Sequence, residues 1–547
     1  MKFNVNTISQ DALPWIIEYD SSKCMLCGKC CAVCSFQAIK VDVQKRKKIQ
    51  AISNENGFSI DSDQKAIPVI KQVIDEKHFC RGCGMCTKVC PNGAIKARRN
   101  KTEIFGTRYR AKTAQSVKRG GRNNLHCEKR TLDKIKVGRI SQMTDPSLDA
   151  LRHTFDIRTN LGRILSPDKL NFSVCENELK INGNMPVNTS IYPVIISDMS
   201  IGALSPRMWE AIAIAVAYLN EVKGIPIRMC TGEGGIPDRL LKSRYLKYMI
   251  LQIASGHFGW NRIVNALEYM KEDPAGILIK IGQGAKPGDG GLLMAQKNVR
   301  LIQEIRGVPH ADLLSPPNHQ GLYSIEESVQ KMFLSMNCAF KFRVPVAIKV
   351  AASSTSVSVY NNLLRDPYNI VGGFFIDGME GATGAAHEIS LNHTGHPIVS
   401  KLRDCYLSAV KQGRQGQIPI FAGGGIGMNG NLAADTFKML CLGANGVIIG
   451  KLILQIAGCV GNDYGKCNAC NTGCCPVGIT TQNPKLTQRL DIDTVAQNIA
   501  NYIIASDIEL KKLLAPVGNS SLPIGRSDAL ISVDKNVADR LNIQYAC

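Results

Sequence analysis

From Pro193 onward, short apolar runs alternate with longer stretches whose apolar residues recur at helical spacing. Eight runs stand out: Pro193–Asp198, Ile225–Gly232, Gly276–Gln283, Asp312–Pro316, Val344–Ala351, Ile370–Gly378, Ile418–Gly425 and Gly446–Lys451. Continuous apolar runs of this kind suit strands covered on both faces, and strands alternating with helices build parallel sheets. Eight strand–helix units predict an α/β fold, a (β/α)8 TIM barrel. A doubly wound open sheet is the alternative, but it would more often show a G-x-G-x-x-G turn after its first strand. The clearest helical pattern is Ser205–Val222, with Ser205 placed to cap it and Pro206 at its first position. The most apolar long stretch, Gly443–Gly461, is broken by Lys451 and by glycines, so it reads as a buried strand entering a helix and not as a membrane span.

The first hundred residues follow another logic. Cys24, Cys27, Cys30 and Cys34 form C-x2-C-x2-C-x3-C, and Cys80, Cys83, Cys86 and Cys90 repeat it before Pro91. In a chain of 547 residues with 21 cysteines, runs at ligand spacing indicate metal and not disulfides. In two-cluster ferredoxins the fourth cysteine of each run ligates the other cluster. Cys24, Cys27, Cys30 and Cys90 are therefore assigned to one [4Fe–4S] cluster, and Cys80, Cys83, Cys86 and Cys34 to a second. Paired zinc sites would show two separate C-x2-C pairs instead. Ser35 stands where a proline usually follows the first run, Cys31 is an extra thiol, and the long gap from Ser35 to Phe79 predicts an inserted hairpin or helix.

Directly after the eighth run come Cys459, Cys467, Cys470, Cys474 and Cys475, the last followed by Pro476. This crowding predicts a third cluster, [3Fe–4S] or [4Fe–4S], with Cys459, Cys467, Cys470 and Cys475 as its ligands and zinc as the alternative. In a barrel of this kind the site lies at the C-terminal strand ends. Glycines there, Gly424 and Gly425 after the seventh strand and Gly450 beside Lys451 after the eighth, let backbone N–H groups approach a phosphate. Lys349 on the fifth strand is placed to meet the electron-rich edge of a flavin.

Charge adds one feature. Lysine and arginine number 66 against 45 acids, a net charge of +21, and much of the excess lies between Lys96 and Arg139. The strip is either a solvated linker face or a docking surface for an acidic redox partner. No nucleic-acid motif accompanies it, so no nucleic-acid partner is expected. The N-terminus shows no apolar h-region, and a cytoplasmic location is expected. The domain reading is 1–100 ferredoxin-like α+β, 101–190 basic linker and lead-in, 191–482 barrel with its cluster loop, and 483–547 a helical segment.

The stretches PVIISDMSIGALS, TGEGG, QIASGHFG, IGQGAKPGDGG, LLSPPNHQGLYSIEE, DGMEGATGA and CNTGCCPVGITTQ resemble the FMN domain of glutamate synthase, in the archaeal-type arrangement with ferredoxin motifs at the N-terminus. The resemblance runs from about Pro193 to Leu530 and includes the ferredoxin part. It implies FMN, held by Met199, Ser200, Gly202, Thr231, Gln252, Lys349, Gly378, Gly381, Gly424, Gly425, Gly450 and Lys451. It implies reductive amination of 2-oxoglutarate by ammonia, with Lys286 and Arg306 meeting the substrate carboxylates and Glu210 and Glu233 beside the reacting groups. It implies an electron donor, either ferredoxin or an NAD(P)H-oxidising flavoprotein subunit. No strand is read as followed by a dinucleotide fingerprint, so no nicotinamide site is expected in this chain. Position 2 is Lys2 and not a nucleophilic cysteine, so any glutamine amidotransferase would be a separate subunit. Several positions depart from the family pattern: Leu292 replaces a polar residue and Met294-Ala295 a Pro-Gly, Gln320 stands for the second histidine with Gly321 after it, and Gly423 replaces an aspartate. These changes leave open a second reading, an electron-transfer subunit with an altered substrate site.

Overall fold

The computed structural model describes residues 15–20, 22–25, 27–34, 39–44, 67–72 and 85–99, and, within 131–546, all but 142–146, 151–152, 165–170, 176–177, 183–186, 259, 367–369, 382, 384–385, 387 and 460–468. The chain divides into two compact units, Met1–Arg108 and Tyr109–Cys547.

In the first unit Trp15–Tyr19 pairs antiparallel with Ile95–Arg99, and Ile39–Gln44 with Ile67–Gln72. The second pair fills the long gap between the cysteine runs. The short helices Lys29–Ala32 and Met85–Val89 each carry part of one run. Cys30 and Cys86 are buried with Ile39 and Ile95 in one small core, and Cys31, Cys34 and Cys90 pack against it. Thiols of both runs thus converge on a shared interior. Burial, reinforced by Cys31, pushes the Cys30 thiol up to about 11. Cys80, Cys83 and most of the basic strip lie outside the described residues.

The second unit contains a closed, all-parallel barrel of eight strands. They are β1 (Val194–Ile196), β2 (Arg228–Cys230), β3 (Met249–Ile253), β4 (Gly276–Lys280), β5 (Val346–Ala351), β6 (Gly373–Asp377), β7 (Ile420–Gly423) and β8 (Gly446–Ile449), with β8 pairing back to β1. Each strand sends one residue into a common apolar plug: Ile195, Cys230, Ile250, Leu278, Ala347, Phe375, Phe421 and Ile448. Leu161 and Ile191 join this plug from the antiparallel pair Thr159–Ile164 and Val187–Ile191. The lead-in segment therefore contributes to the barrel's core. Another part of it, Ile135–Val137, pairs with Leu530–Ser532 near the C-terminus.

One expected strand is displaced. Asp312–Pro316 is not in the barrel; its Leu313–Leu314 pairs antiparallel with Leu292–Leu293 outside it. Two leucines hemmed in by Pro316 and Pro317 are too short to span a barrel wall. Met249–Ile253, buried along its whole length, takes the third place. Around the barrel run α1 (Pro206–Glu221), α2 (Arg300–Arg306), α3 (Leu432–Cys441), α4 (Lys451–Ile456) and α5 (Ile492–Val517). Ser205 caps α1 by accepting the Met208 N–H at 3.1 Å, with Pro206 in the first turn, as expected. Within the described part of the Gly443–Gly461 stretch, β8 enters α4. No helix among the described residues is long and apolar enough to cross a membrane.

Candidate active site

Side chains alternate along a strand, so a residue two places beyond a plug residue also points inward. At the C-terminal ends these positions hold Gln252 on β3, Lys280 on β4, Lys349 on β5 and Asp377 on β6. With Asp198, just past β1, they form a polar layer over the apolar plug. The Lys349 ammonium, 2% exposed, lies 2.7 Å from Asp198 Oδ1 and 3.2 Å from Asp377 Oδ2. Gln252 Nε2 donates to Asp198 Oδ2 at 2.7 Å, and Ser197 Oγ donates to Oδ1 at 2.8 Å. Burial alone would lower the lysine and raise the aspartate. Attraction between them reverses both, so Asp198 sits well below the usual carboxylate range and Lys349 above the ordinary lysine value. Lys280 adds a second cation acting on Asp198, so two ammonium groups balance two carboxylates.

A second set lies in the loops beyond this layer. Arg306, the last residue of α2, donates through Nη2 to Ile201 O at 3.2 Å and, at the limit of a hydrogen bond, to Glu233 O at 3.5 Å. Its guanidinium stacks 5.4 Å from the Phe258 ring centre. Gly234 has φ 139°, and a Cβ there would come within 2.6 Å of Arg306 Nη2, so only glycine fits. Burial, opposed by Glu233, pulls Arg306 down to about 10. Arg306 Nε is buried without a hydrogen-bond partner among the described residues. The Glu233 carboxylate accepts from Ser315 Oγ at 2.6 Å. Lys286 is 3% exposed. Burial and then Lys280 lower its pKa, while Asp289 and Glu233 oppose them. Buried His319 donates through Nε2 to Lys280 O at 2.9 Å, which leaves its Nδ1 to accept from His257 Nε2 at 3.1 Å. Glu210 lies half-buried one turn into α1. Leu292 is half-buried in its short strand, and Gln320 is exposed.

Met199, Ser200 and Gly202 form the turn after β1, where the Leu204 N–H donates to Ser200 O at 2.9 Å and the Gly202 N–H to Leu204 O at 3.0 Å. Thr231, 1% exposed, accepts the Gln252 N–H at 3.2 Å, which ties β2 to β3. The Gly378 N–H donates to Gly423 O at 2.8 Å, and the Gly381 N–H to Gly378 O at 3.1 Å. Gly424 and Gly425 have φ of 132° and 62° and turn the chain sharply after β7. The expectation that no strand precedes a dinucleotide-type spacing is corrected here: Gly425, Gly427 and Gly430 make a G-x-G-x-x-G run ahead of α3. The Gly427 N–H, however, donates to the fully buried Asp435 carboxylate at 2.8 Å. A carboxylate already fills the acceptor's place there, and it would repel a pyrophosphate.

The cysteine loop docks on the turn after β1. The Ser205 N–H donates to Ile479 O at 2.8 Å, and Gln482 Nε2 donates to Gly202 O at 3.0 Å and Leu204 O at 2.8 Å. Burial raises the Cys475 thiol, but the backbone N–H groups of Thr480, Val477 and Ile479 bring it below the ordinary cysteine value. Thiolate is the form that binds metal. Cys459 and Cys470 are half-buried, Cys474 is exposed, and Cys467 lies outside the described residues.

Residues 123–520 match the conserved region in glutamate synthase, and residues 23–94 match the 4Fe-4S dicluster domain. The chain belongs to the glutamate synthase family. It is 32% identical to the archaeal glutamate synthase (NADPH) of Methanocaldococcus jannaschii over 545 residues, covering 95% of each protein. It is 32% identical to the archaeal-type glutamate synthase (NADPH) of Thermotoga maritima, covering 93% of this chain and 92% of that one. The glutamate synthase large chain of Bacillus subtilis matches at 31% identity over 61% of this chain and 20% of its own length. The chain is thus a glutamate synthase-like oxidoreductase with an iron–sulfur domain at its N-terminus.

Sequence reasoning chose Lys349 but not its partners Asp198 and Asp377. The available signal was an aspartate closing an apolar run at a strand's C-terminal end. Ser315, His257 and His319 carried no such signal. Neither did Lys297, whose hydrogen-bond acceptors lie 94 and 173 residues away in sequence.

Proposed function

We propose that this chain catalyses the reductive amination of 2-oxoglutarate with ammonia to glutamate, using electrons relayed through iron–sulfur clusters to FMN. The observation that carries this reading is Lys286: a lysine 3% exposed at the barrel mouth, with no hydrogen bond or ion pair of its ammonium among the described residues, close enough to Glu233 and Lys280 to feel their charge. A buried cation without an anion favours binding one. Arg306, with an unpartnered buried Nε, supplies a second cationic donor for a dicarboxylate. Glu233, fixed by Ser315, is held near both cations and is the group to accept a proton from ammonium.

The barrel fits FMN. Gln252 Oε1 is buried without a partner among the described residues, an acceptor suited to a flavin N–H. Gly424, Gly425 and Gly450 offer backbone N–H groups to its phosphate, beside Lys451. Met199, Ser200, Gly202, Thr231, Gly378 and Gly381 would line the ring. When bound, FMN supplies hydride to 2-iminoglutarate. Lys349, neutralised by Asp198 and Asp377, acts at the flavin edge as an oriented dipole and not as a free cation.

Two [4Fe–4S] clusters in residues 15–100 and one further [3Fe–4S] or [4Fe–4S] cluster on Cys459, Cys467, Cys470 and Cys475 complete the chain. Anaerobic analysis should find about eight irons in the N-terminal module. Cys24→Ser should remove about half of these and leave flavin content unchanged; stoichiometric zinc at the C-terminal cysteines would refute the third cluster. Ferredoxin or an NAD(P)H-oxidising flavoprotein subunit would donate electrons in the cytoplasm, and ammonia would come from solution or from a separate glutamine amidotransferase subunit. If the 96–139 strip docks that donor, electron entry slows as salt is raised, because exposed charges are screened; a salt-independent rate rules the docking role out.

A second reading, an electron-transfer subunit, is favoured by one observation: half-buried Leu292 offers no polar contact to a substrate carboxylate. Titrating the purified protein with 2-oxoglutarate separates the two. A saturable change in the flavin spectrum supports the enzyme, and a flat titration supports the alternative.

A further inference from the structure

Two lysines lie beside the cysteine loop, Lys297 buried and Lys451 half-buried. Lys297 is 4% exposed, and its ammonium donates to Ala203 O at 2.7 Å and to Cys470 O at 3.0 Å. Both acceptors are neutral carbonyls, and no carboxylate pairs with this lysine among the described residues. The acidic groups within electrostatic reach of it are the thiols of Cys470 and Cys475. Lys451, at the start of α4, stands likewise within reach of Cys459 and Cys470, and it has no hydrogen-bond or ion-pair partner among the described residues. A buried cation such as Lys297, taken out of water without a carboxylate, is unfavourable unless an anion compensates it, and Lys451, beside the proposed flavin phosphate, lies within reach of the same loop. Thiols of the cysteine loop thus lie within electrostatic reach of both ammonium groups, an arrangement that suits a negatively charged centre in the loop and wastes charge on an uncharged one.

We infer that Lys297 and Lys451 are the counter-charges of the C-terminal iron–sulfur cluster, and that they hold its reduction potential up so that it accepts electrons on their way to the barrel. The inference rests on the proposed presence of that cluster. A thiolate-ligated cluster is anionic when oxidised. Its reduction takes in one electron, breaks no bond, and adds one negative charge to the site. Fixed cations nearby favour the more negative state, and they do so strongly where water is excluded. Lys297 has a second task as a positioning residue. Its two hydrogen bonds join the cysteine loop to the turn after β1, and its own backbone leads into α2, which carries Arg306. One ammonium therefore fixes the cluster loop, the proposed flavin-side turn and the proposed substrate-side helix together.

The test is an anaerobic, mediated titration of the full chain with dithionite, read by electron paramagnetic resonance, for wild type, Lys297→Met, Lys297→Arg and Lys451→Met. The expected result is a lower midpoint for the C-terminal cluster in both methionine variants and a return toward the wild-type midpoint in Lys297→Arg. The N-terminal clusters act as internal standards, with unchanged midpoints in every variant, and flavin content stays constant in the Lys297 variants. If Lys297→Met fails to assemble the cluster, Lys451→Met, which breaks no described hydrogen bond, decides the matter. Unchanged midpoints in the assembled methionine variants overturn the inference while leaving the cluster assignment intact. Equal shifts in Lys297→Arg and Lys297→Met also overturn it, because charge would then not be the cause. A wild-type protein with no C-terminal cluster signal removes the underlying reading as well.

Discussion

Lys349→Met should cost about 3–5 kcal/mol of stability, because it strands the nearly buried carboxylate of Asp198, and leaves half-buried Asp377, without their shared cation. The loss is the cost of leaving charge unpaired in a dry interior, and it exceeds anything expected from the change in side-chain volume. Urea unfolding followed by circular dichroism measures it as a drop in midpoint, and flavin should be lost in parallel. Adding Asp198→Asn should restore part of the stability, since it removes one stranded charge; a double variant no better than the single one would show that the pair is not the cause. The pH dependence follows from the directions of the two shifts. Asp198 has a depressed folded-state pKa, so its contribution is present above about pH 4, the ordinary aspartate value, and is lost as pH falls through the lower folded value. Lys349 has a raised one, so its contribution is whole below about pH 10 and is lost as pH rises through the higher folded value. Neutral pH lies well inside the window where both act.

Lys286→Met should weaken 2-oxoglutarate binding by about ten- to a hundredfold, the worth of a charge-assisted hydrogen bond of roughly 1.5–3 kcal/mol. The substitution removes a cation with no described partner, so no buried carboxylate is stranded in exchange, and flavin content should hold. Arg306→Ala should nearly abolish binding. It removes the second cation and also the link from α2 to Ile201 and Glu233. Leu292→Gln should act in the opposite sense: an unpaired carboxylate oxygen costs about 1–3 kcal/mol, and a glutamine there offers it a donor. The titration of the flavin spectrum reads all three. The enzyme reading predicts weaker, nearly absent and tighter binding, respectively. A wild-type titration that none of these variants alters would mean that the pocket is not in use, and the electron-transfer reading would replace it.

Local chemistry explains what could be read along the chain. A cysteine run at ligand spacing is a covalent constraint over a few residues, so both N-terminal runs were visible without any fold. The helix at Pro206–Glu221 was visible because its cap, its proline and its apolar period all lie within one short segment. Seven of the barrel strands fell in apolar runs for the same reason. The eighth was misplaced because Asp312–Pro316 and Met249–Ile253 are both short and apolar, and only closure of the barrel tells which one it needs.

The sequence by itself determined that this protein has a cluster-bearing N-terminal unit and a parallel eight-stranded barrel whose polar residues gather at one end. Periodicity and ligand spacing are properties of neighbours in the chain, and they suffice for that. Only the tertiary structure decided which charges meet. It set Lys349 between Asp198 and Asp377, left Lys286 without a described partner, placed Arg306 against two loop carbonyls, and brought Lys297 onto Ala203 and Cys470. Whether a charged side chain is neutralised, stranded or free to bind depends on groups that arrive from distant strands, and on the burial that makes their attraction strong.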